Sequence, residues 1–441
     1  MKPLKLGIVG AGAFLADHFL HVFKNHPGIG EIHIADLEIS RAEKLVNSFG
    51  LAGAHHSLDQ LLKVGLDAIA IFTPRHTHAP LAQHAMEAGC HVYMAVPAAI
   101  TLDELAGLVE TSGRTRLVCM TGETSYYYPE IVYCREEFAT GRWGKFVHAD
   151  AQYIHDMATW GPHFQFTAGP EWRRFAAIPP LHYATHSFSM PLSITGARVT
   201  HVSAHGFRDL VTNSGYGKGN NPWDNPFSNE VALARTSYGG SLRVGEFRRI
   251  GWFAFNGREV MMPTFYCTDA CFEENIVSTT LVARGGTEGG RDWQHGTRLM
   301  RDLAEWVDGP YFEHARPDHP EDLQRHLGLA PAHHSERLPA DFLGLANGHS
   351  GSHHFLVDDF VRACRKDALP PCHIWNSAAW CAPGLVAHES AMQGGTQLSV
   401  PDFGRPPADW PDVSLPPRPK DHRRPTLPPL RSTGHPYPHA M

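Results

Sequence analysis

Small residues near the start of the chain have the types and spacing needed to hold a pyrophosphate. The strand-like run KLGIVG ends at Gly10, and Gly12 stands just before a helical pattern. Gly10 permits a tight turn, and Gly12 lets the backbone approach a phosphate above the first N–H groups of the helix. Leu15 replaces the third glycine of this pattern, which weakens helix–strand packing but keeps the phosphate site. We assign this role to five consecutive residues, Gly10, Ala11, Gly12, Ala13 and Phe14.

An acidic residue at the end of the second predicted strand completes a dinucleotide site. The carboxylate of Asp36 can accept hydrogen bonds from both hydroxyls of an adenosine ribose. The same charge repels a 2′-phosphate, and no arginine or lysine follows immediately. Asp36 could instead cap the helix that follows it. The order of strand, glycine turn, helix, strand and acid favours a dinucleotide, and NAD over NADP.

A tyrosine and a histidine three residues apart could handle protons. Tyr183 and His186 share one face if their segment is helical. Imidazole titrates at about 6.5, which suits a base that takes a hydroxyl proton at neutral pH. A tyrosine titrates at about 10 and needs a positive neighbour, such as His182 or Arg173, to act as a base. The competing interpretation is that Tyr183 and His186 only satisfy each other inside a core helix.

Other polar and aromatic residues could line a carbohydrate cleft. Glu123 and Thr124 follow the sixth predicted strand, at the edge where such a sheet binds ligands, although Glu123 could equally be a solvated loop residue. Aromatic faces beside charged side chains are typical of sugar clefts, and single loop aromatics also pack without function. The candidate substrate contacts are Glu123, Tyr153, Trp172, Arg173, His182 and Tyr183.

Two domains must position these groups, and the predicted fold class is α/β. Residues 1–122 alternate apolar strands with helical patterns, which predicts a parallel sheet covered on both faces, a Rossmann NAD-binding domain. Residues 123–400 predict an α+β domain with a large, mostly antiparallel sheet for substrate binding and oligomerisation. Residues 311–348 read as an irregular insertion. Residues 401–441 read as a Pro-rich extended tail that lies over the surface or over a partner subunit.

Composition argues against several kinds of partner. The 441 residues carry a formal net charge of −7 without a long basic run, so nucleic acid is not expected. The 8 cysteines contain no Cys-x-x-Cys pair, which suits free thiols in a reducing compartment. The sequence shows no signal peptide pattern and no apolar run of the roughly 20 residues that span a membrane. We therefore expect a cytoplasmic protein without a membrane partner. No metal is expected, because His349, His353 and His354 lack accompanying carboxylate or cysteine ligands.

The stretch IFTPRHTHAPLAQHAMEAGCHVYMAVPAAITLDELAGLV resembles the Gfo/Idh/MocA oxidoreductases, and the resemblance extends over nearly the whole chain. In that family a Thr-Pro-x-x-x-His motif lines the nicotinamide side. The family's Glu-Lys-Pro tripeptide falls on Ala95-Val96-Pro97, so Val96 replaces the catalytic lysine and can only wall the nicotinamide. The resemblance implies cofactor contacts at Thr73, Pro74, His76, His78, Ala95, Val96, Pro97 and Thr124.

The same family carries an Asp-x-x-x-His helix near the reacting carbon of its substrate. Here the aspartate position holds His182, and the histidine is retained as His186. Two of the three family groups are therefore changed, and the remaining catalytic candidates are His186, Tyr183 and His182. His182 occupies the family's aspartate position but could equally point at the sheet.

A narrower branch, with Ala-Val-Pro or Glu-Val-Pro in place of Glu-Lys-Pro, is more similar. Its Tyr-x-x-His pattern and Gly/His-rich segment are shared with NAD-dependent glycoside hydrolases of the α-N-acetylgalactosaminidase type. That resemblance implies transient oxidation of a sugar at C3, elimination of the glycosidic bond, hydration and return of the hydride.

Three functions therefore stay open. The first is an NAD-dependent oxidoreductase acting on a carbohydrate or polyol. The second is a glycoside hydrolase with recycled NAD, and the third is a non-catalytic NAD-binding sensor. A homodimer or homotetramer is expected by analogy.

Overall fold

The computed structural model describes residues 2–156, 161, 164–166, 168–210, 215–250, 261–275, 278–284, 298–302, 329–342, 345 and 347–413. These residues form two sheets with helices packed around them. Within them, no helix has both the length and the apolar character that crossing a bilayer requires. Most of the strand expected at WFAFNGREVMM lies outside the described residues.

A six-stranded parallel sheet forms the first half of the fold, residues 4–121, as the strand–helix alternation predicts. Its strands are β1 Leu4–Val9, β2 Ile29–Ala35, β3 Gly53–His55, β4 Ala68–Ile71, β5 His91–Met94 and β6 Cys119–Thr121. Their order is β3-β2-β1-β4-β5-β6, and each neighbouring pair is parallel. The order reverses beside β1, and ligands bind at the strand ends next to such a switch point.

Short helices connect these strands. They are α1 Ala13–His18, α2 Leu20–Asn25, α3 Ile39–Phe49, α4 Leu58–Leu62, α5 His78–Glu87 and α6 Leu102–Thr115. One continuous helical pattern is split in two, because Phe19 leaves the helical conformation with φ −124°. Helix α3 ends at Gly50 in the left-handed conformation, which is the C-cap expected from the sequence.

A nine-stranded sheet forms the second half. Its strands are β7 Phe146–Ile154, β8 Val199–Arg208, β9 Phe227–Thr236, β10 Ser241–Phe247, β11 Thr264–Cys267, β12 Ala270–Glu274, β13 Thr279–Arg284, β14 Arg298–Asp302 and β15 Leu398–Ser399. The order is β14-β13-β12-β11-β7-β10-β9-β8-β15, antiparallel except for the β7–β10 pair. Glu230 on β9 lies opposite Glu246 on β10, and both side chains are fully buried.

The remaining helices of the described part are α7 Pro129–Ala139, α8 Trp172–Ala176, α9 Thr185–Thr195, α10 Ser352–Lys366 and α11 Ile374–Met392. Helices α9 and α11 lie against each other and against the second sheet. Helix α10 instead packs on the first half: the Phe360 ring lies 5.6 Å from the Tyr93 ring, and His26 Nε2 lies 3.3 Å from Asp358 Oδ1. The expected boundary at residue 122 therefore separates the sheets, but not the helices that cover them.

The expected irregular insertion at 311–348 is described mainly over residues 329–342, which form turns and two short 3-10 helices, Ser335–Arg337 and Ala340–Phe342. Leu338 and Phe342 are buried in the core, and the buried Arg337 guanidinium donates to Asp359 Oδ1 at 2.6 Å and to the Tyr127 hydroxyl at 2.9 Å. A buried cation of this kind holds a segment in place because its charge is balanced by a carboxylate.

The start of the Pro-rich tail lies extended along the surface of its own chain. Leu369 N donates to Pro411 O and Val413 N donates to Leu369 O, both at 2.8 Å. The Arg116 guanidinium stacks on the Trp410 ring at 4.7 Å. Residues 414–441 lie outside the described part.

Candidate active site

The glycine turn leaves backbone open to a ligand. Gly10 has φ +100°, and a side chain there would lie 2.5 Å from the carbonyl oxygen of Phe72, so only glycine fits. A side chain at Gly12 would meet no atom within 4 Å. A pyrophosphate can therefore approach the Gly12 backbone without displacing protein atoms.

Asp36 holds the glycine turn against the second strand. Its Oδ2 accepts the Ala11 N–H at 2.8 Å, and its Oδ1 accepts the Glu38 N–H at 2.9 Å. The N-cap of α3 is Glu38, so the capping role considered for Asp36 is wrong. Each carboxylate oxygen keeps a second lone pair for a ribose hydroxyl. The open turn and this acid together fit NAD.

The sequence-predicted contact His78 lies behind the cofactor loops. Its ring is buried, with Nδ1 2.8 Å from Pro97 O and Nε2 2.8 Å from Thr73 O. Because backbone carbonyls face both nitrogens, His78 joins the Thr73 and Pro97 loops rather than reaching a ligand. Burial lowers the pKa of this ring, which favours the neutral form.

The other expected cofactor contacts near these loops differ in what surrounds them. Ala95 and Val96 are half-buried after β5 and place only apolar atoms there. The His76 ring lies against the rings of Phe175 and Trp223, at 6.2 and 6.4 Å, so it contacts the second half.

Phe14, Pro74 and Thr124 occupy three different environments. Phe14 is largely exposed, with its ring 6.1 Å from the His349 ring, and Pro74 is exposed on its loop. Thr124 is buried, and its carbonyl oxygen accepts the Ser352 hydroxyl at 2.7 Å.

His186 is paired with Glu123, although 63 positions separate them in the sequence. His186 Nδ1 lies 2.5 Å from Glu123 Oε1, and both side chains are buried. Glu123 also accepts Ser125 Oγ at 2.7 Å and Thr185 Oγ1 at 2.8 Å. Burial raises the pKa of Glu123, but His186 and the two hydroxyls lower it further, so its pKa lies below the usual value. The carboxylate is therefore ionised, and Nδ1–H donates to it.

This placement revises the expected role of Glu123. A fully buried carboxylate with both oxygens engaged does not reach into a substrate cleft. It fixes the tautomer of His186 instead, leaving the lone pair of Nε2. The described residues form no hydrogen bond to that nitrogen.

Two tyrosines lie beside the His186 ring. The rings of Tyr153 and Tyr183 are each 5.2 Å from it and 5.8 Å from one another. Arg75 Cζ lies 4.1 Å from the centre of the Tyr183 ring, and Arg248 Cζ lies 5.3 Å from it. The positive neighbours that Tyr183 requires are therefore Arg75 and Arg248, not His182 or Arg173 as the sequence suggested.

His182 faces away from this group. Its ring makes an edge contact with His388 at 5.0 Å, and His388 Nδ1 lies 2.8 Å from Glu230 Oε1. Burial, followed by His388, lowers the pKa of His182 well below its usual value. A neutral ring packed against α11 cannot supply a charge to Tyr183, so the expected catalytic role of His182 has no support in this geometry.

Trp172 and Arg173 pack chiefly with each other. The Arg173 guanidinium lies 4.8 Å from the Trp172 ring, and a side chain at Gly215 would lie 3.1 Å from that ring. Among the described residues, neither forms a ring or cation contact with His186 or Tyr183.

The Gly/His-rich segment before α10 reaches the same region. His349 and Ser350 have φ of 49° and 52°, a conformation that non-glycine residues rarely adopt and that clusters at functional sites. His349 Nδ1 lies 2.8 Å from His353 Nε2. Burial is the largest cause that lowers the pKa of His349 to about 3, and His186 and His18 act in the same direction. Within the described residues, no group of three or more potential ligands is arranged to hold a metal ion.

Sequence reasoning missed Arg75 and Arg248 at this site. Arg75 stands inside the Thr-Pro-x-x-x-His motif, where its charge was a usable signal. Arg248 follows β10, and only the parallel pairing of β10 with β7 shows that it meets Tyr153.

Two family models match separate parts of the chain. Residues 4–123 match the Gfo/Idh/MocA oxidoreductase family with an NAD-binding Rossmann fold. Residues 343–410 match the C-terminal domain of glycosyl hydrolase 109. The second match includes the Gly/His-rich segment, α10 and α11.

Similar proteins cover nearly the full length. A glycosyl hydrolase family 109 protein of Streptomyces filamentosus is 25% identical over 434 residues, which cover 93% of this chain and 78% of the relative. Another, from Shewanella sp. (strain MR-4), is 24% identical and covers 92% of this chain and 86% of its own. The structure of levoglucosan dehydrogenase with NADH and levoglucosan superposes with a TM-score of 0.66 at 18% identity, over 91% of this chain and all of the other.

These matches confirm the resemblance and the α/β fold expected from the sequence. Residues 4–123 match the model of an NAD-binding Rossmann fold, and NAD is the cofactor. The chain is an NAD-dependent enzyme that is similar to family 109 glycosyl hydrolase proteins over most of its length.

Proposed function

We propose that this enzyme removes a hydride from a carbinol carbon of a carbohydrate or polyol, with His186 as the base for the hydroxyl proton. The observation that carries the proposal is the His186–Glu123 pair. It leaves one basic ring nitrogen beside two tyrosines, at the junction between the NAD-binding half and the second sheet.

The proposed NAD-binding residues hold the cofactor in place and do not transfer protons. The Gly10–Gly12 turn would take the pyrophosphate, Asp36 the ribose hydroxyls, and Val96 one face of the nicotinamide. When bound, NAD supplies reversible oxidation of the carbinol. Val96 adds no proton chemistry, so the proton must be handled on the side of Tyr183 and His186.

The proton route runs through His186. Nε2 accepts the hydroxyl proton, and Glu123 stabilises the imidazolium that results through the Nδ1–H hydrogen bond. Burial of the pair excludes water that would otherwise compete for that proton. Tyr183, with two guanidinium groups near its ring, is the second group that could hold or release a proton.

A second candidate is a glycoside hydrolase in which NAD is recycled. The specific observation in its favour is the match of residues 343–410 to the family 109 C-terminal domain, together with full-length similarity to family 109 proteins. Elimination needs one group to take the C2 proton and another to protonate the leaving oxygen. His186 and Tyr183 are two such groups, with their rings 5.2 Å apart.

One experiment separates these functions. Purified protein is incubated with free sugars and aryl glycosides, while NADH absorbance at 340 nm and aglycone release are followed together. Net NADH without aglycone supports oxidation. Aglycone without net NADH, abolished when NAD is stripped, supports cleavage. Silence in both assays with NAD still bound would favour a non-catalytic sensor and contradict both proposals.

We also propose a cytoplasmic homodimer or homotetramer, since sheets of this kind offer a broad face for self-association. Light scattering of the purified protein measures the assembly, and a monomer would contradict it.

A further inference from the structure

Two arginines flank the same tyrosine in the candidate cleft. Arg75 comes from the first half of the chain, and Arg248 follows β10 in the second. Their guanidinium carbons lie 4.1 and 5.3 Å from the centre of the Tyr183 ring, and Arg248 also lies 5.1 Å from the Tyr153 ring. Since both tyrosine rings touch His186, the two cations are one side chain away from the proposed base.

The two arginines lie near one ionised carboxylate, Glu123, and one carboxyl whose pKa is raised by burial, Glu246. Among the described residues, no carboxylate lies within ion-pair distance of Arg75. Arg248 is buried and has one carboxylate partner, Glu246, at 3.2 Å. Burial raises the pKa of Glu246 to about 8 despite Arg248 and Ser187, so part of this carboxyl stays protonated at neutral pH.

A neighbouring histidine is also affected by the two arginines. His155 stacks on Tyr153 with ring centres 5.4 Å apart. Burial lowers the pKa of His155 to about 3, and Arg248 and Arg75 are the next largest causes. A site whose arginines disfavour a third cation attracts an anion.

Elsewhere the chain neutralises a buried arginine with its own carboxylates. Arg337 is stacked on the rings of Tyr127 and Phe355, as Arg75 is on Tyr183, but it is also paired with Asp358 and Asp359. Ring stacking alone therefore does not account for the lack of a carboxylate partner at Arg75 among the described residues.

We propose that Arg75 and Arg248 bind an oxyanion substituent of the sugar substrate, the carboxylate of a uronic acid or a sulfate ester. This inference rests on the proposed function and names its substrate class. A guanidinium donates two parallel hydrogen bonds to either group, and the shared Tyr183 contact places the anion beside the carbinol that His186 serves.

The test measures binding to the NAD-loaded, full-length protein by calorimetry. The probes are methyl glucuronide, methyl glucoside and glucose 6-sulfate, with the three galactose counterparts. We expect at least one anionic sugar to bind about tenfold or more tightly than its neutral counterpart, because hydrogen bonds to charged groups are among the strongest. Whether the uronide or the sulfate binds better identifies the source of the oxyanion.

Substitutions at Arg75 test whether this residue causes the preference for anionic sugars. Arg75→Gln should remove it while NAD affinity stays within a few-fold, and Arg75→Lys should keep part of it. Arg116→Gln is the matched control, because Arg116 also stacks on an aromatic ring but lies at the surface beside the tail. Thermal melting of each variant verifies that it is folded.

Two outcomes would overturn the inference: no anionic sugar binds more tightly than its neutral counterpart, or Arg75→Gln keeps the preference. Failure of the proposed oxidation looks different. Anion preference that depends on Arg75, without turnover of any probe, upholds this site and contradicts the proposed function.

Discussion

Two groups of buried histidines lie close together in this protein and differ in what surrounds them. His186 is paired with an ionised carboxylate, Glu123, which is held by two hydroxyls. His353 and His354 are equally buried, yet among the described residues His353 pairs only with the neutral ring of His349, and neither nitrogen of His354 has a hydrogen-bond partner.

This difference decides whether a buried histidine can do proton chemistry. Burial is the largest cause that lowers the pKa of His353 and His354, and neighbouring histidines lower it further, so both rings stay neutral. They pack like aromatic residues, His354 against Phe342 and His353 against Phe19. At His186 the carboxylate offsets the cost of burial. A high histidine content therefore predicts neither a metal site nor a catalytic role, unless the group that hydrogen-bonds to each ring is known.

Among the substitutions that test this difference, removal of His186 should lower the catalytic rate most. His186→Ala takes away the proposed base, so kcat/KM should fall by on the order of 1000-fold, while NAD affinity stays within a few-fold. Steady-state assays and NAD titration measure the two quantities. Intact turnover in this variant would show that the base is elsewhere.

Glu123→Gln tests the partner rather than the base. The amide keeps the shape but can present its NH2 to Nδ1, which favours the wrong tautomer, so kcat should fall on the order of 100-fold. Because the negative charge that stabilises the imidazolium is gone, the acid limb of the pH–kcat/KM profile should move to lower pH. The matched control is Glu230→Gln, the other buried glutamate–histidine pair, which should alter stability without moving that limb.

Tyr183→Phe asks whether the second ionisable group is needed. The ring and its contacts with Arg75 and His186 remain, and only the hydroxyl is lost. We expect kcat to fall about tenfold if Tyr183 shares the proton work. Aglycone release should fall more than sugar oxidation if the enzyme cleaves glycosides. Unchanged rates for both reactions would leave His186 as the sole proton carrier.

The comparison also shows how far sequence reasoning reaches. Gly10, Gly12 and Asp36 act through local backbone geometry, so their spacing predicts the NAD-binding turn. The alternation of apolar runs likewise predicts both sheets, because burial on one or two faces repeats along each strand.

The proton site could not be derived in the same way. The Glu123–His186 pair and the approach of Arg75 and Arg248 to the Tyr183 ring join distant parts of the chain, and no local pattern encodes such pairings. His78 was identified by its motif, but the direction of its ring depends on two loops that meet only in the fold. The expected catalytic role of His182 has no support, because its spacing from His186 does not say which way its side chain points. In the fold its ring packs against His388.

The smallest expected effect is on the pH dependence of the free energy of unfolding, and it tests the neutral ring of His354. The pKa of His354 is lowered to about 3 in the folded protein, while the unfolded chain takes up a proton below its ordinary value of about 6.5. The unfolded state thus binds more protons, and stability falls as pH drops from about 6.5 towards 3. His354→Phe removes this linkage, so the free-energy difference between pH 7.5 and 5.5 should shrink by about 1.4 kcal/mol. Urea unfolding at both pH values measures it, with the exposed His84→Gln as control. An unchanged pH dependence in His354→Phe would mean that His354 can be protonated in place, and the contrast with His186 would then fail.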